Sequence, residues 1–360
     1  MIQGTDIRRV GVAGAGTMGA GIAQALAQNG FEVQLFDVSE EVLSRAEGRI
    51  LRGLHRLEKP EAFSLIRKTE SLEVLEACDF VIEAVSEDIR AKHDLFRKLD
   101  SIMDPRRVIA TNTSSLSVER IASAAENPDR IVGMHFFNPA PVMRLVEVVR
   151  TPFVSEAAIE AARELALALG KTVVVCKDTP GFIANRIVRP FYLAGMGLLE
   201  EGAGPPAAID RAVREKGGFR MGPMELVDLI GLDVNLTISK VIYEALGRPE
   251  RLKPRRVQEE LVARGNLGRK SGCGFYVYGE NQPATGNPAL EEILPGVGAR
   301  PIADPEIFKT ILENVIAEAR LALEAGVAGA EDIDTAMRLG MNWPRGPLEW
   351  GRELERRGGL

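Results

Sequence analysis

The chain has 360 residues, 45% hydrophobic and 27% charged, the balance of a globular protein with room for about two domains. Its formal charge of −6 excludes a general nucleic-acid footprint, so a phosphate-bearing ligand must be met by local basic groups or helix N-termini. The three cysteines, Cys78, Cys176 and Cys273, lie far apart and fit no metal or disulfide spacing, which predicts reduced thiols in a cytoplasmic protein that binds no metal.

In chain order, the first element is "RRVGVAGAGTMGAGIAQALAQNG", which reads as strand, glycine turn and helix. Its uncharged stretch is too rich in glycine for a membrane span, and no small-residue cleavage site follows it as in a signal peptide. Gly14, Gly16 and Gly19 form a G-x-G-x-x-G pattern with Thr17 and Met18 inside it. In that pattern Gly14 allows the tight turn, Gly16 lets backbone approach a pyrophosphate, and Gly19 lets the helix lie close to the sheet. A second strand, "FEVQLFDV", ends at Asp37, 21 residues after Gly16, where an acid would hold the adenosine ribose hydroxyls. The same carboxylate would repel a ribose phosphate, which favours NAD over NADP. Read locally, Asp37 is a helix cap before "SEEVL".

Strands then alternate with helices. "CDFVIEAV", "RVIATNTSS" and "RIVGMHFF" read as strands, and "EDIRAKHDLFRKLDSI" has helical periodicity. This order predicts a doubly wound, Rossmann-type α/β domain with ligands beyond the carboxyl ends of its strands. Glu87, Lys92, Asn112 and Ser114 all follow strand ends and become site candidates, against the plainer reading of solvated loop residues or caps.

"GMHFFNP" and "LVEVV" come next. The chain has only three histidines, and His135 shares a strand face with Ile131 and Gly133. Glu147 stands alone among aliphatic residues, where an unpaired carboxylate is costly. "NPAP" is turn-rich, and an antiparallel hairpin pairing His135 with Glu147 has its midpoint at Pro141, inside that turn. A carboxylate beside a histidine fixes the tautomer and stabilises the imidazolium, so the imidazole can take a hydroxyl proton. The alternative is a satisfied core histidine and an edge-strand glutamate.

From about Phe182 the pattern turns helical, with "RIVRPFYLAGMGLLEEG" expected as one long helix that is apolar nearly all round. "GRKSGCGFYVYG" has glycines and basic residues but no strand-loop-helix context for a phosphate loop, and reads as a structural turn at a domain end. "ENQPATGNP" reads as a linker. Beyond it the helical domain repeats at an offset of 124 residues. That register aligns Gly202 with Gly326, Ile209-Asp210 with Ile333-Asp334, Ala212 with Ala336, Arg214 with Arg338, Gly222-Pro223 with Gly346-Pro347, and Glu225 with Glu349. Lys309 stands at the position of Asn185, so the second copy keeps framework positions of the first but not that amide, and is expected to be structural. The domains predicted are 1–179, a dinucleotide-binding domain; 180–279, an all-α domain; 280–304, a linker; and 305–360, a truncated second copy.

Taken together, "GAGTMGAGIA", "VIEAV", "NTSSLS", "GMHFFNPAPVMRLVEVV", "CKDTPGFIANRI" and "MGPMELVDLIGLD" resemble the 3-hydroxyacyl-CoA dehydrogenase family, including the 3-hydroxybutyryl-CoA dehydrogenases. The resemblance implies NAD-dependent oxidation of an L-3-hydroxyacyl-CoA, with His135 as general base and Glu147 its partner. It implies that Ser114 and Asn185 hold the substrate's 3-oxygen, and that Glu87, Lys92 and Asn112 border the cofactor. The segment "LRGLHRLEKPEAFSLIRK" is shorter than the family's usual excursion there, which helps hold the CoA nucleotide in relatives. Its Arg52, Arg56, Lys59, Arg67 and Lys68 are the basic candidates for phosphates. A related NAD oxidoreductase acting on a free hydroxy acid, and a non-catalytic NAD-binding protein, are the alternatives. Single-copy relatives cover their apolar helix with a partner subunit. The second copy is therefore expected to take the partner's place, through the apolar Ile311, Val315, Ile316, Ala319 and Leu323, giving a monomer with an internal pseudo-two-fold contact or a dimer through another surface.

Overall fold

Each short apolar run of the first half becomes a strand, and the charged, periodic stretches between them become helices. The computed structural model describes residues 7–279 and 284–356; it divides into two units, Met1–Phe182 and Ile183–Leu360. Residues 280–283 of the expected linker, and 357–360 at the end of the second copy, lie outside the described residues.

The first unit runs β1 (Arg9–Ala13), α1 (Thr17–Ala27), β2 (Glu32–Phe36), α2 (Glu40–Arg56), β3 (Ile66–Thr69), β4 (Phe80–Glu83), α3 (Ile89–Ile102), β5 (Val108–Thr111), α4 (Val118–Ala122), β6 (Ile131–Phe136), β7 (Leu145–Arg150), α5 (Glu156–Ala168) and β8 (Thr172–Lys177). The sheet order is β3-β2-β1-β4-β5-β6-β7-β8, parallel except where β7 returns antiparallel to β6. That return is forced by length, because residues 137–144 are too few for the dozen or more that a parallel crossover needs.

Strand side chains alternate between two cores. Val10, Val12, Phe80, Ile82, Ala110, Val132 and Met134 pack with residues of α1, α2 and α5. Ala13, Val81, Ile109 and Ile131 pack with residues of α3 and α4 on the opposite face. Each fully buried large apolar side chain there contributes roughly 1.5–3 kcal/mol. Helix ends are fixed locally: the Ser39 hydroxyl accepts from Val42 N–H at the start of α2, and Asp88 accepts from Arg90 and Ala91 N–H, both at 2.9 Å, at the start of α3.

Edge strand β3 was not evident in the sequence. It is short, and it carries Arg67 and Lys68, charges of the kind that keep edge strands from pairing with other chains. Lys68 lies 2.6 Å from Glu47 and 3.4 Å from Glu40, so this phosphate candidate is already paired with carboxylates.

The second unit runs α6 (Ala184–Ile187), α7 (Arg189–Glu200), α8 (Pro206–Gly217), α9 (Pro223–Ile230), α10 (Leu232–Ala245), α11 (Arg256–Ala263), β9 (Tyr276–Val277), β10 (Thr285–Gly286), α12 (Ala289–Ile293), α13 (Asp304–Glu324), α14 (Ala330–Gly340) and α15 (Pro347–Arg356). The expected single long helix is interrupted between α6 and α7. Pro190 has no N–H for the carbonyl of Arg186, and proline is favoured at the start of a helix, not inside one.

The repeat is visible in hydrogen bonds as well as in sequence. In the first copy, buried Asp210 of α8 accepts from Met224 and Glu225 N–H, both at 3.0 Å, and so caps α9. In the second copy, Asp334 of α14 accepts from Leu348 and Glu349 N–H, at 2.8 and 3.4 Å, and caps α15. A Cβ on Gly222 would lie 2.2 Å from Asp210 Oδ1, and one on Gly346 2.2 Å from Asp334 Oδ1, so both glycines are required for the close approach. The copies pack reciprocally, α13 against α7 and α8, and α14 against α6. On α13, Ile311, Val315, Ile316 and Ala319 are buried as expected, whereas Leu323 is 37% exposed.

The glycine-rich stretch before residue 280 wraps the buried carboxylate of Asp228. That group accepts from Phe275 N–H, Tyr276 N–H and the Tyr278 hydroxyl at 2.9, 3.0 and 2.8 Å. Its glycines serve that wrap: a Cβ on Gly274 would meet Asp228 Oδ1 at 2.2 Å. The described part of the expected linker is tied down, with Asn287 donating to Gly274 O at 2.7 Å and Arg300 N–H to Gly202 O at 3.0 Å. Among the described residues no helix is long and apolar enough to cross a membrane, and no cluster of His, Cys, Asp and Glu could hold a metal.

Candidate active site

Strand order reverses between β1 and β4, and the carboxyl ends of those two strands carry the glycine turn. Gly14 has φ +106°, and a Cβ there would meet Ala84 O, just beyond β4, at 2.6 Å. Around Gly19 the helix lies so close that a Cβ would be 1.8 Å from Gly14 O. Gly16 differs, with nothing within 4 Å of where its Cβ would stand. The carboxylate of Asp37 accepts from Ala15 N–H at 2.8 Å and from Ser39 N–H at 3.2 Å, joining the turn to the exit of β2. Ser39, not Asp37, caps α2. Thr17 and Met18 open α1, whose first-turn N–H groups and positive dipole end suit phosphate. An open cradle, a helix N-terminus and an acid at the second strand's end together fit NAD. Gly16→Val should therefore leave the melting temperature near that of the parent, since the space is empty, yet weaken NADH binding by more than about tenfold. Fluorescence titration with NADH checks this, and undiminished affinity would remove Gly16 from the site.

A buried polar chain runs from β4 to the loop after β5. Glu83 is fully buried and accepts from Lys92 Nζ at 2.6 Å, Thr111 Oγ1 at 2.6 Å and Val85 N–H at 2.7 Å. Lys92, 1% exposed, also lies 3.4 Å from Glu87. Glu87 in turn accepts from Thr113 Oγ1, from Ser114 N–H at 2.6 Å and from Ser114 Oγ at 3.1 Å. Three of the site candidates, Glu87, Lys92 and Ser114, are thus joined in one assembly by an ion pair and hydrogen bonds. Glu83 and Thr113 were not singled out from the sequence, although Glu83, a lone acid in an apolar strand, carries the signal that identified Glu147.

The hairpin pairs His135 with Glu147 in register. His135 Nδ1 and Glu147 Oε2 are 2.6 Å apart, with Glu147 fully buried and His135 6% exposed. A carboxylate has only lone pairs to offer, so Nδ1 donates and Nε2 is the basic nitrogen. The rings of Phe137 and Phe182 stand 4.5 and 5.8 Å from the imidazole, centroid to centroid. Gly133 makes room for the hairpin, since a Cβ there would lie 2.5 Å from Val149 Cβ. Asn112 Oδ1 accepts from Phe136 N–H at 2.8 Å, which ties the end of β5 to the residue after His135.

Lys171, buried at the head of β8, holds the hairpin loop by donating to Ala140 O and Met143 O at 2.7 and 2.8 Å. Burial lowers its pKa from the ordinary 10.5. Between the lowered value and 10.5 the unfolded chain therefore binds more protons than the folded one, and stability rises with pH through that window. Lys171→Met should lower the melting temperature and abolish this group's share of the rise. The check is thermal unfolding of both proteins from about pH 8 upward, the difference between them widening with pH.

In the second unit, Asn185 lies in the single turn α6, where its carbonyl accepts from Arg189 Nε at 2.9 Å. Arg189 is buried, and its Nη1 reaches Asn235 O and Ser239 Oγ at 3.3 and 3.2 Å. At the corresponding place in the second copy, Lys309 is exposed and lies 3.5 Å from Glu313.

Residues 9–179 match the family model for the NAD-binding domain of 3-hydroxyacyl-CoA dehydrogenase. Residues 181–278 and 307–358 match the model for the C-terminal domain of 3-hydroxyacyl-CoA dehydrogenase, on both sides of the expected linker. The chain is 37% identical to the 3-hydroxyadipyl-CoA dehydrogenase of Escherichia coli (strain K12), over 97% of this chain and 91% of that protein. It is 40% identical to the 3-hydroxybutyryl-CoA dehydrogenase of Mycobacterium tuberculosis (strain CDC 1551 / Oshkosh), over 76% of this chain and 99% of that one. Among solved structures, the 3-hydroxybutyryl-CoA dehydrogenase from Escherichia coli K12 superposes with a TM-score of 0.87 at 35% identity, covering 97% of this chain and 92% of its own.

Proposed function

The chain belongs to the 3-hydroxyacyl-CoA dehydrogenase family, and from that premise we propose that it oxidises an L-3-hydroxyacyl-CoA to the 3-ketoacyl-CoA with His135 as general base and Glu147 as its partner. It is an NAD-dependent oxidoreductase of acyl-CoA metabolism. When bound, NAD supplies the hydride acceptor. The protein supplies a base, orientation and charge placement.

His135 Nε2 takes the proton of the 3-hydroxyl as hydride leaves C3. The imidazolium that results forms against the existing carboxylate of Glu147. The flanking Phe137 and Phe182 rings lower the local dielectric, so that attraction is stronger than in water. Asn185 and Ser114, the latter turning its single O–H from Glu87 to the substrate, hold the 3-oxygen. The open cradle at Gly16 and the N–H groups of Thr17 and Met18 receive the pyrophosphate, Gly14 and Gly19 shape the turn and the close approach of α1, and Asp37 accepts from the adenosine ribose. Glu87 borders the cofactor, Lys92 holds Glu87 in place, and Asn112 fixes the strand end beside His135.

The observation that carries this reading is the buried 2.6 Å contact between His135 and Glu147 in the domain that matches the NAD-binding family model. The test follows NADH oxidation by absorbance across acetoacetyl-CoA, longer 3-ketoacyl-CoAs, 3-ketoadipyl-CoA and free keto acids. Turnover is expected with thioesters, and the panel reads acyl length and polarity. Turnover confined to free acids would move the assignment to a hydroxy-acid dehydrogenase. We also read the second helical copy as the stand-in for a partner subunit's domain, in a cytoplasmic protein whose oligomeric contact, where one forms, uses another surface.

A further inference from the structure

Two arginines of the first helical copy converge on one acid of the second. Glu318 of α13 is fully buried, and its two carboxylate oxygens accept from Arg186 Nε and Arg251 Nε, each at 2.6 Å. Arg186 is 5% exposed and sits next to Asn185. A buried ion triad adds little stability over apolar packing of equal volume; its best-attested use is to fix register. The turn that carries Asn185 needs such fixing. Its backbone bonds include Ile187 N–H to Ile183 O and Val188 N–H to Ala184 O, both at 3.0 Å, and the proline at 190 ends the pattern there. Arg189 on the carbonyl of Asn185 and the clamp of Glu318 on Arg186 both hold the turn laterally.

The clamp is not part of the repeat. At the offset of 124 residues, Arg186 corresponds to Thr310 and Glu318 to Ala194. The acid is thus present only in the copy that lacks the asparagine, and its arginine partner only in the copy that has it. We infer that Glu318 is a positioning residue for the dehydrogenase reaction, a side chain of the second copy that fixes, through Arg186, the turn carrying Asn185. This rests on the role given to Asn185 above. The second copy then does more than cover an apolar face.

The test is a double-mutant cycle on the full chain, with kcat and KM for acetoacetyl-CoA, NADH affinity and melting temperature read together. Glu318→Gln should lower kcat by roughly ten- to a hundredfold, well below the melting transition, with NADH affinity unchanged. A purely structural acid would move the melting temperature and leave kcat alone. In an Asn185→Ala background the same substitution should have no further effect on kcat, because its route is already cut. Losses that multiply instead would overturn the inference, as would a normal Glu318→Gln kcat beside an impaired Asn185→Ala enzyme. An unimpaired Asn185→Ala enzyme would overturn the role of Asn185 itself, and the inference with it. If Glu318→Gln does not fold, Arg186→Lys keeps a cation opposite Glu318 but loses the Nε donor, and the same cycle applies with the same expected and overturning results.

Discussion

Replacing His135 with glutamine lowers kcat by about 10²–10⁴-fold and leaves NADH affinity where it was. Glutamine fills much of the same volume and can still donate to Glu147, so the buried carboxylate keeps a partner and the hairpin survives. What is lost is the only strong base in the pair. The interaction removed is made in the transition state, not in cofactor binding, so kcat and kcat/KM for the hydroxyacyl thioester should fall together. A His135→Gln enzyme with near-normal turnover would exclude His135 as the base. Glu147→Gln is the companion experiment. An amide can hold the tautomer but does not stabilise an imidazolium, so kcat should fall by roughly 10²-fold or more. An unchanged kcat in Glu147→Gln would argue against the pairing as a functional unit.

The same physics decided what was legible in the sequence. Glu147 could be read as paired because a hairpin fixes the opposite residue by counting from the turn. Glu83 stands in an equally apolar strand and is equally buried, yet its partner Lys92 lies one loop and one helical turn further on, where no register rule reaches. The glycine turn, the acid after the second strand and the alternation of strands with helices were legible because each is a local demand of backbone geometry. Edge strand β3 and the break before Pro190 were hidden for opposite reasons. The first is too short and charged to show alternation, and the second lies in a run so apolar that its continuity outweighed its proline. Glu318 did leave a trace. It falls on the buried face of α13 with Ile311 and Val315, seven and three residues away, and an acid on an apolar stripe implies a cation waiting for it. Which cation, on a segment 132 residues earlier, only the fold could tell.

Ending the chain at Gly279 should turn a well-behaved protein into one that associates through a newly bared face. The aromatic cluster in the second unit belongs to both copies. Phe191 lies 5.6 Å from Trp343, and Phe219 lies 5.3 Å from Trp350 and 6.4 Å from Phe308, centroid to centroid. The truncation removes Trp343, Trp350 and Phe308 and leaves Phe191 and Phe219 facing water, at a cost of roughly 1.5–3 kcal/mol for each large side chain uncovered. It also uncovers the parts of α7 and α8 on which α13 packs. The two copies share the Asp210 and Asp334 caps and pack reciprocally, so the bared face should have enough self-complementarity to pair with another truncated chain. Sedimentation velocity over a range of concentrations reads the outcome as a dimer or as aggregate. A truncated chain that stays a soluble, stable monomer would show that the second copy covers nothing the first needs. A dimer would carry its own diagnostic. By the repeat register, the partner would present Ala194 where Glu318 stands in the full chain, so the contact would be restored without its carboxylate and kcat should stay low.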